Sequence, residues 1–215
     1  MSLTVACVFV KANVSYGVEY VSNLRAMAAR HLQRPHSFVC LTDRPWLLPA
    51  GVEAMPIAHD ARVAGWWAKV RLFDANRFDG RVLYLDLDSV VVQSLNPIVD
   101  FDAPFALVPH AGTFQPRSGH KVVRRFNSSV MVWDAGVPPT FDDVEPLAKE
   151  YWGDQDILAE RAPDAAVMPA EWFPRLSDLS GSVPGPSARV VLCKKPKNTI
   201  AADIHPWLAK AWRVA

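Results

Sequence analysis

Cysteine is scarce in this 215-residue sequence: only Cys7, Cys40 and Cys193 occur, each in an apolar, strand-like run, with no CxxC pair. An odd, scattered set excludes a disulfide framework and a cysteine zinc site. It reads as buried thiols of a reducing compartment, so a cytoplasmic location is expected. Excess charge is missing too, with 23 Lys and Arg against 22 Asp and Glu for a net of +1. A nucleic-acid binder shows a basic surplus, so no nucleic-acid partner is expected. No apolar run is long enough to span a bilayer. The stretch Leu3 to Val10 also lacks the basic flank and cleavage site of a signal peptide, so no transmembrane segment is expected. P-loop, GxGxxG and nucleophile-elbow motifs are absent, as are internal repeats and low-complexity tracts. Core-forming material is not short: 50% of residues are hydrophobic and 21% charged, which excludes disorder. A chain of this length buries roughly 70% of its extended surface and folds without staples. One domain over residues 1–215 is expected, with a first half (1–92) and a less regular second half (93–215).

Apolar residues follow two alternating periods. LTVACVFV (3–10) is a fully apolar strand, and HSFVCLT (36–42) is a second, ended by Asp43-Arg44-Pro45. Val52 to Ile57 is a third candidate. Between the first two, Val18, Val21, Leu24, Ala28 and Leu32 mark the buried stripe of a helix. GWWAKVRLFDANRF (65–78) also has helical spacing, and RVLYLDLDSVVV (81–92) is the strongest strand. Further on, the pattern predicts strands at 103–109, 128–134 and 189–193. It predicts helices at 119–126, 141–151, 153–161 and 207–213, the last opened by Pro206. Strands alternating with helices predict an α/β fold with a mostly parallel central sheet.

Asp86-Leu87-Asp88 interrupts the strongest strand. Two acids one residue apart point the same way on an extended chain. Burying an unpaired carboxylate costs several kcal/mol, so two of them need an explanation. A hard divalent cation, Mn²⁺ or Mg²⁺, at the carboxyl edge of the sheet supplies one. Capping of the following turn supplies another.

Four blocks now stand in order: GWWAKVRLF (65–73), RVLYLDLDSVVVQSLNPI (81–98), FNSSVMVWDAG (126–136) and GDQDILAE (153–160). In order and spacing the chain resembles GT-A-fold glycosyltransferases, the retaining, nucleotide-sugar-dependent group typified by glycogenin and bacterial lipopolysaccharide sugar transferases. The resemblance implies a Rossmann-like α/β fold and a divalent cation. It also implies a nucleotide-sugar donor, UDP-linked, and a glycan, lipid-linked or protein acceptor.

The same resemblance assigns roles. Asp86 and Asp88 correspond to the DxD pair that holds the cation against the donor diphosphate. Asn127 falls on an asparagine that meets the donor sugar, although Ser129 replaces the usual glycine in Phe126-Asn127-Ser128-Ser129. Asp154, Gln155 and Asp156 match a DQD block whose groups contact the transferring sugar, and these three with Asn127 form the expected catalytic set. Lys69 matches a basic residue on the nucleotide or its phosphates. Lys11 and Tyr16, after the first strand, and Asp43, after the second, lie where such folds seat the base. A third metal ligand, a histidine on the last strand, is missing: Val191 occupies its position. Lys194 and Lys197 are expected to replace part of the lost positive charge at the diphosphate. Two alternatives stay open. One is a haloacid-dehalogenase-like phosphohydrolase, because an apolar strand with Asp-x-Asp-x-Val also fits its nucleophile loop. The other is a non-enzymatic nucleotide-sugar-binding protein, suggested by the missing histidine.

Overall fold

The computed structural model describes residues 2–12, 15–58, 65–110, 113–114, 122–123, 125–141, 143–193 and 205–212. The first half runs β1 (Leu3–Phe9), α1 (Glu19–His31), β2 (Ser37–Thr42), β3 (Glu53–Pro56), a 3-10 helix (Gly65–Phe73), β4 (Arg81–Leu85) and β5 (Ser89–Val91). The second half runs α2 (Asn96–Val99), β6 (Phe105–Pro109), β7 (Thr113–Phe114), β8 (Val122–Val123) and β9 (Phe126–Asp134). It continues with α3 (Val144–Glu150), α4 (Asp154–Arg161), β10 (Ala166–Val167), β11 (Val190–Leu192) and α5 (Pro206–Trp212). Seven strands make the main sheet in the order β10-β6-β9-β4-β1-β2-β3. Four of its six pairings are parallel, and β9 runs antiparallel between β4 and β6. The fold is the expected α/β class.

β1 shows why its sequence is apolar throughout. Leu3, Val5, Cys7 and Phe9 enter a core with α1 and α5, whereas Ala6 and Val8 enter a second core with the 3-10 helix and α4. A strand covered on both faces has no place for alternating polar residues. At the foot of the sheet, Gly80 turns at φ +93, and a Cβ there would stand 2.5 Å from the Ser2 carbonyl oxygen. Glycine is required by both facts.

Several elements differ from the sequence pattern. The run 81–92 is not one strand. β4 stops at Leu85, and β5 leaves the main sheet to pair with β11, because an apolar ladder cannot hold two ionised carboxylates in line. The expected helix at 119–126 is not formed at its described positions: β-branched Val122 and Val123 pair with β7, and Phe126 opens β9. The helix expected over 65–78 is a 3-10 helix that ends at Phe73, and α3 starts only at Val144, where the Asp143 side chain accepts the Glu145 N–H. Strand 128–134 reaches back to Phe126, which puts Asn127 in a strand and not in a turn.

Arg81 closes the base of the sheet. Its guanidinium donates to the carbonyl oxygens of Val99 (3.1 Å), Phe101 (2.7 Å) and Ala103 (2.8 Å), and to Asp134 Oδ1 (3.0 Å). One side chain thus ties β4, the link after α2 and the end of β9. Arg81→Met strips partners from four part-buried acceptors at once, and the expected loss is about 2–4 kcal/mol of unfolding free energy in urea titrations. A loss below about 0.5 kcal/mol would show that water replaces the clasp at no cost.

Candidate functional site

The site begins where β4 leaves its ladder. The Asp86 N–H still donates to the Ser129 carbonyl (2.8 Å), and the Ser89 N–H returns to the Asp86 carbonyl (3.0 Å), closing a turn that carries both aspartates. On the other side of the edge, β9 breaks register with β6. Leu107 faces Met131, yet the next residue, Val108, faces Asn127. The extra residues bulge away from β6 while β9 stays paired with β4, and the edge of the sheet opens between them.

A cavity of about 310 Å³ lies on the other side of β9, at the ends of β1 and β4. Asp86, Asp88 and Lys69 line it, with Asn127 and Ser129 from the bulged start of β9. Tyr16, from the link after β1, and Trp66, half-exposed on the 3-10 helix, stand at its sides, and Cys193 follows β11 into it. The location is the carboxyl end of parallel strands, where open α/β sheets hold ligands.

Lys69 organises the charges. It is only 5% exposed, and its Nζ lies 2.9 Å from Asp86 Oδ1 and 3.4 Å from Asp154 Oδ2. It also donates to the Ser128 carbonyl (3.3 Å) and Oγ (3.2 Å), and Ser128 Oγ hydrogen-bonds to Asp154 in turn. Burial draws the ammonium pKa down, but the charges of Asp154 and Asp86 outweigh it, and the net shift is upward. Lys69 therefore stays charged. Tyr84 Oη donates to the same Asp86 Oδ1 at 2.6 Å, and burial followed by the Asp86 charge holds its phenol well above the usual range. Asp88 receives less help. Burial and the Asp86 charge push its carboxyl up to about 7, against the hydrogen bond from Tyr16 (3.0 Å).

No protein-family model matches the chain, and no curated protein matches it. Solved structures do. The chain is similar to the galactosyltransferase LgtC in complex with donor and acceptor sugar analogues, at a TM-score of 0.64 and 12% identity over 99% of this chain and 97% of that one. It is similar to the glycosyltransferase GlyE of Streptococcus pneumoniae TIGR4 (TM-score 0.59, 12% identity, 99% and 66% coverage). The bifunctional glycosyltransferase WbbM, in its apo structure, matches less of the chain (0.54, 13%, 84% and 40%). The fold is the GT-A fold of these glycosyltransferases.

On that fold the expected site residues divide into four groups, the last outside the described residues. Asp86, Asp88, Lys69, Asn127 and Tyr16 meet in the cavity. Asp154, Gln155 and Asp156 form the head of α4 and do not line it. Asp154 is 4% exposed and Asp156 fully buried, and the former reaches Asp86 through Lys69. Asp43 accepts the Lys11 N–H at 2.9 and 3.1 Å and pairs with Arg44 Nε at 3.6 Å, which ties the ends of β1 and β2 together. Val191 pairs with Val90 inside the core and is fully buried, whereas Cys193, two residues on, lines the cavity. Lys194 and Lys197 lie outside the described residues.

Tyr84 and Ser128 join the site although the sequence assigns neither of them a role there. Tyr84 precedes Asp86 by two residues on a strand, so alternation puts both side chains on one face, a signal available in the sequence. Ser128 carried none: its role depends on Lys69 and Asp154, both far away along the chain.

Folded Asp88 keeps a proton that an unfolded carboxyl, with its ordinary value of 3.8, has already released between about 4 and about 7. In metal-free buffer the protein should therefore lose stability as pH rises through that window. Asp88→Asn should flatten the slope and exceed the wild type at pH 8 by on the order of 2 kcal/mol. Urea titrations at pH 5 and pH 8 measure both quantities, and an unchanged slope would contradict the raised carboxyl.

Proposed function

We propose that this chain is a glycosyltransferase that moves a sugar from a nucleotide-sugar donor, UDP-linked, to a glycan, lipid-linked or protein acceptor. The observation that carries the reading is the meeting of Asp86, Asp88, Lys69, Asn127 and Ser129 in one cavity at the carboxyl edge of a GT-A sheet. The fold likeness supports it, since the LgtC structure holds donor and acceptor sugar analogues.

The donor set fits a hard divalent cation, Mn²⁺ or Mg²⁺. Lys69 is shared between Asp86 and Asp154, and Asp88 adds a further acid, so carboxylates outnumber cations here among the described residues. Among those residues no third His, Cys, Asp or Glu completes a three-ligand group, so the remaining positions fall to ligand oxygens and water. Asp86 and Asp88 would hold the ion, which when bound neutralises charge developing on the diphosphate leaving group. Lys69, already paired with two acids, acts by fixing Asp86 and adds little free positive charge. Asn127 and Ser129 orient the donor sugar from β9. Asp154 sets Lys69 from the head of α4, where fully buried Asp156 is shut off from the cavity, and of that block Gln155 is left to meet the transferring sugar, as the family resemblance implies. A second cavity of about 390 Å³, lined by His110, Phe173 and Arg175, shares Asn127 with the first and suits an acceptor. Retention of anomeric configuration is part of the same resemblance. A nucleotide-sugar-binding protein without transfer is the second reading, favoured by the burial of Val191 where the family has its histidine.

A thermal-shift panel of nucleotide sugars with Mn²⁺ or Mg²⁺ tests the assignment, since a selective ligand raises the melting temperature by mass action. Asp86→Asn and Asp88→Asn should abolish the metal-supported shift. Asn127→Ala should lower donor turnover at least about tenfold, on the order of 1.4 kcal/mol of barrier, with nucleotide affinity nearly unchanged. Binding without turnover under either metal supports the second reading. Phosphate release from a simple phosphoester, with no sugar nucleotide bound, would replace both with the phosphohydrolase.

A further inference from the structure

The two aspartates of the cavity are not equally available. Asp86 Oδ1 receives both Lys69 (2.9 Å) and Tyr84 (2.6 Å), each from a buried element, so that oxygen is committed and Asp86 meets a ligand with its other oxygen. Asp88 is different. Its Oδ2 receives the phenol of Tyr16 at 3.0 Å, and Tyr16 belongs to no helix or strand. Asp88 is 7% exposed, so an ion approaches its carboxylate through the cavity that Tyr16 lines.

The Tyr16 ring is backed by other aromatics. The Tyr16 ring stands edge-on to Tyr20 at 5.1 Å, and Tyr20 edge-on to Trp212 of α5 at 5.0 Å. Tyr20 and Trp212 are both buried, so Tyr16 rests on a fixed aromatic ledge. A cation that takes Asp88 Oδ2 competes with the hydroxyl for that oxygen, and a ligand that fills the cavity meets the same ring, which lines it.

We propose that Tyr16 competes with the cation for Asp88. This rests on the reading of Asp86 and Asp88 as cation ligands. In the ligand-free protein the phenol occupies Oδ2. A nucleotide entering the cavity moves the ring off the carboxylate, and the cation then binds. Metal and nucleotide are thereby coupled, and by linkage each raises the affinity of the other by the same factor. The protein alone holds the ion weakly and the complex holds it well, without a third protein ligand.

Calorimetric titration of Mn²⁺ into the full chain, with and without UDP, tests the competition in the wild type, Tyr16→Phe and Asp88→Asn. Phenylalanine keeps the ring and its contact with Tyr20 but removes the hydroxyl. Tyr16→Phe should bind Mn²⁺ about tenfold more tightly than the wild type without UDP and equally with it, so the coupling factor falls about tenfold. Unchanged or weaker nucleotide-free affinity in Tyr16→Phe would overturn the proposal, as would a coupling factor that persists. If Asp88→Asn binds Mn²⁺ like the wild type, the ligand assignment itself fails. If it abolishes binding while Tyr16→Phe matches the wild type, the competition alone fails.

Discussion

A lysine ammonium buried between two acids is the constraint on which the rest of this site depends. Lys69 meets Asp86 and Asp154 from the 3-10 helix, with Ser128 supplying two further acceptors. Withdrawing a charge from water costs several kcal/mol, and only near contacts of opposite sign offset it. The arrangement therefore has to be complete or absent. It joins three pieces of chain: the 3-10 helix, the turn after β4, and the head of α4, with β9 packed between them. Asp86 is held in place because Lys69 needs it, and the free side of that carboxylate faces the cavity as a result.

The sheet makes the same compromise in backbone terms. A continuous β4 would bury the acid pair in an apolar ladder, and a regular β9 would seal the edge against β6. The turn at Asp86 and the register break at Val108 remove both obstacles. Each leaves backbone groups that need partners, and the Asp86 N–H and Ser129 carbonyl satisfy one another. Irregularity is confined to the place where a ligand would sit, while the neighbouring pairs keep their register.

Much of this was legible in the residues. The double-faced burial of β1, the helix stripe from Val18 to Leu32 and the acids at the end of β4 follow from local periodicity and from the cost of burying charge. The α/β class follows from alternation. Periodicity could not show that the run 81–92 divides between two sheets, because β5 finds its partner in β11, far along the chain. Nor could it show that Lys69 is buried, since a lone lysine on a helical stripe reads as a solvated charge until its two acids arrive from elsewhere. Asn127 has the composition of a turn residue, yet it lies in a strand because Phe126 and Val130 bury themselves on either side of the bulge.

The cavity draws its walls from Tyr16, Lys69, Asp86, Asn127 and Cys193, which are spread along almost the whole described chain. No hairpin or single βα unit contains enough of it to hold a ligand. Partly folded forms therefore have no site, and occupancy stabilises only the complete fold. Resistance to proteolysis should then rise together at the β1–α1 link, in the 3-10 helix and along β9 when a ligand binds, because one opening equilibrium governs all three.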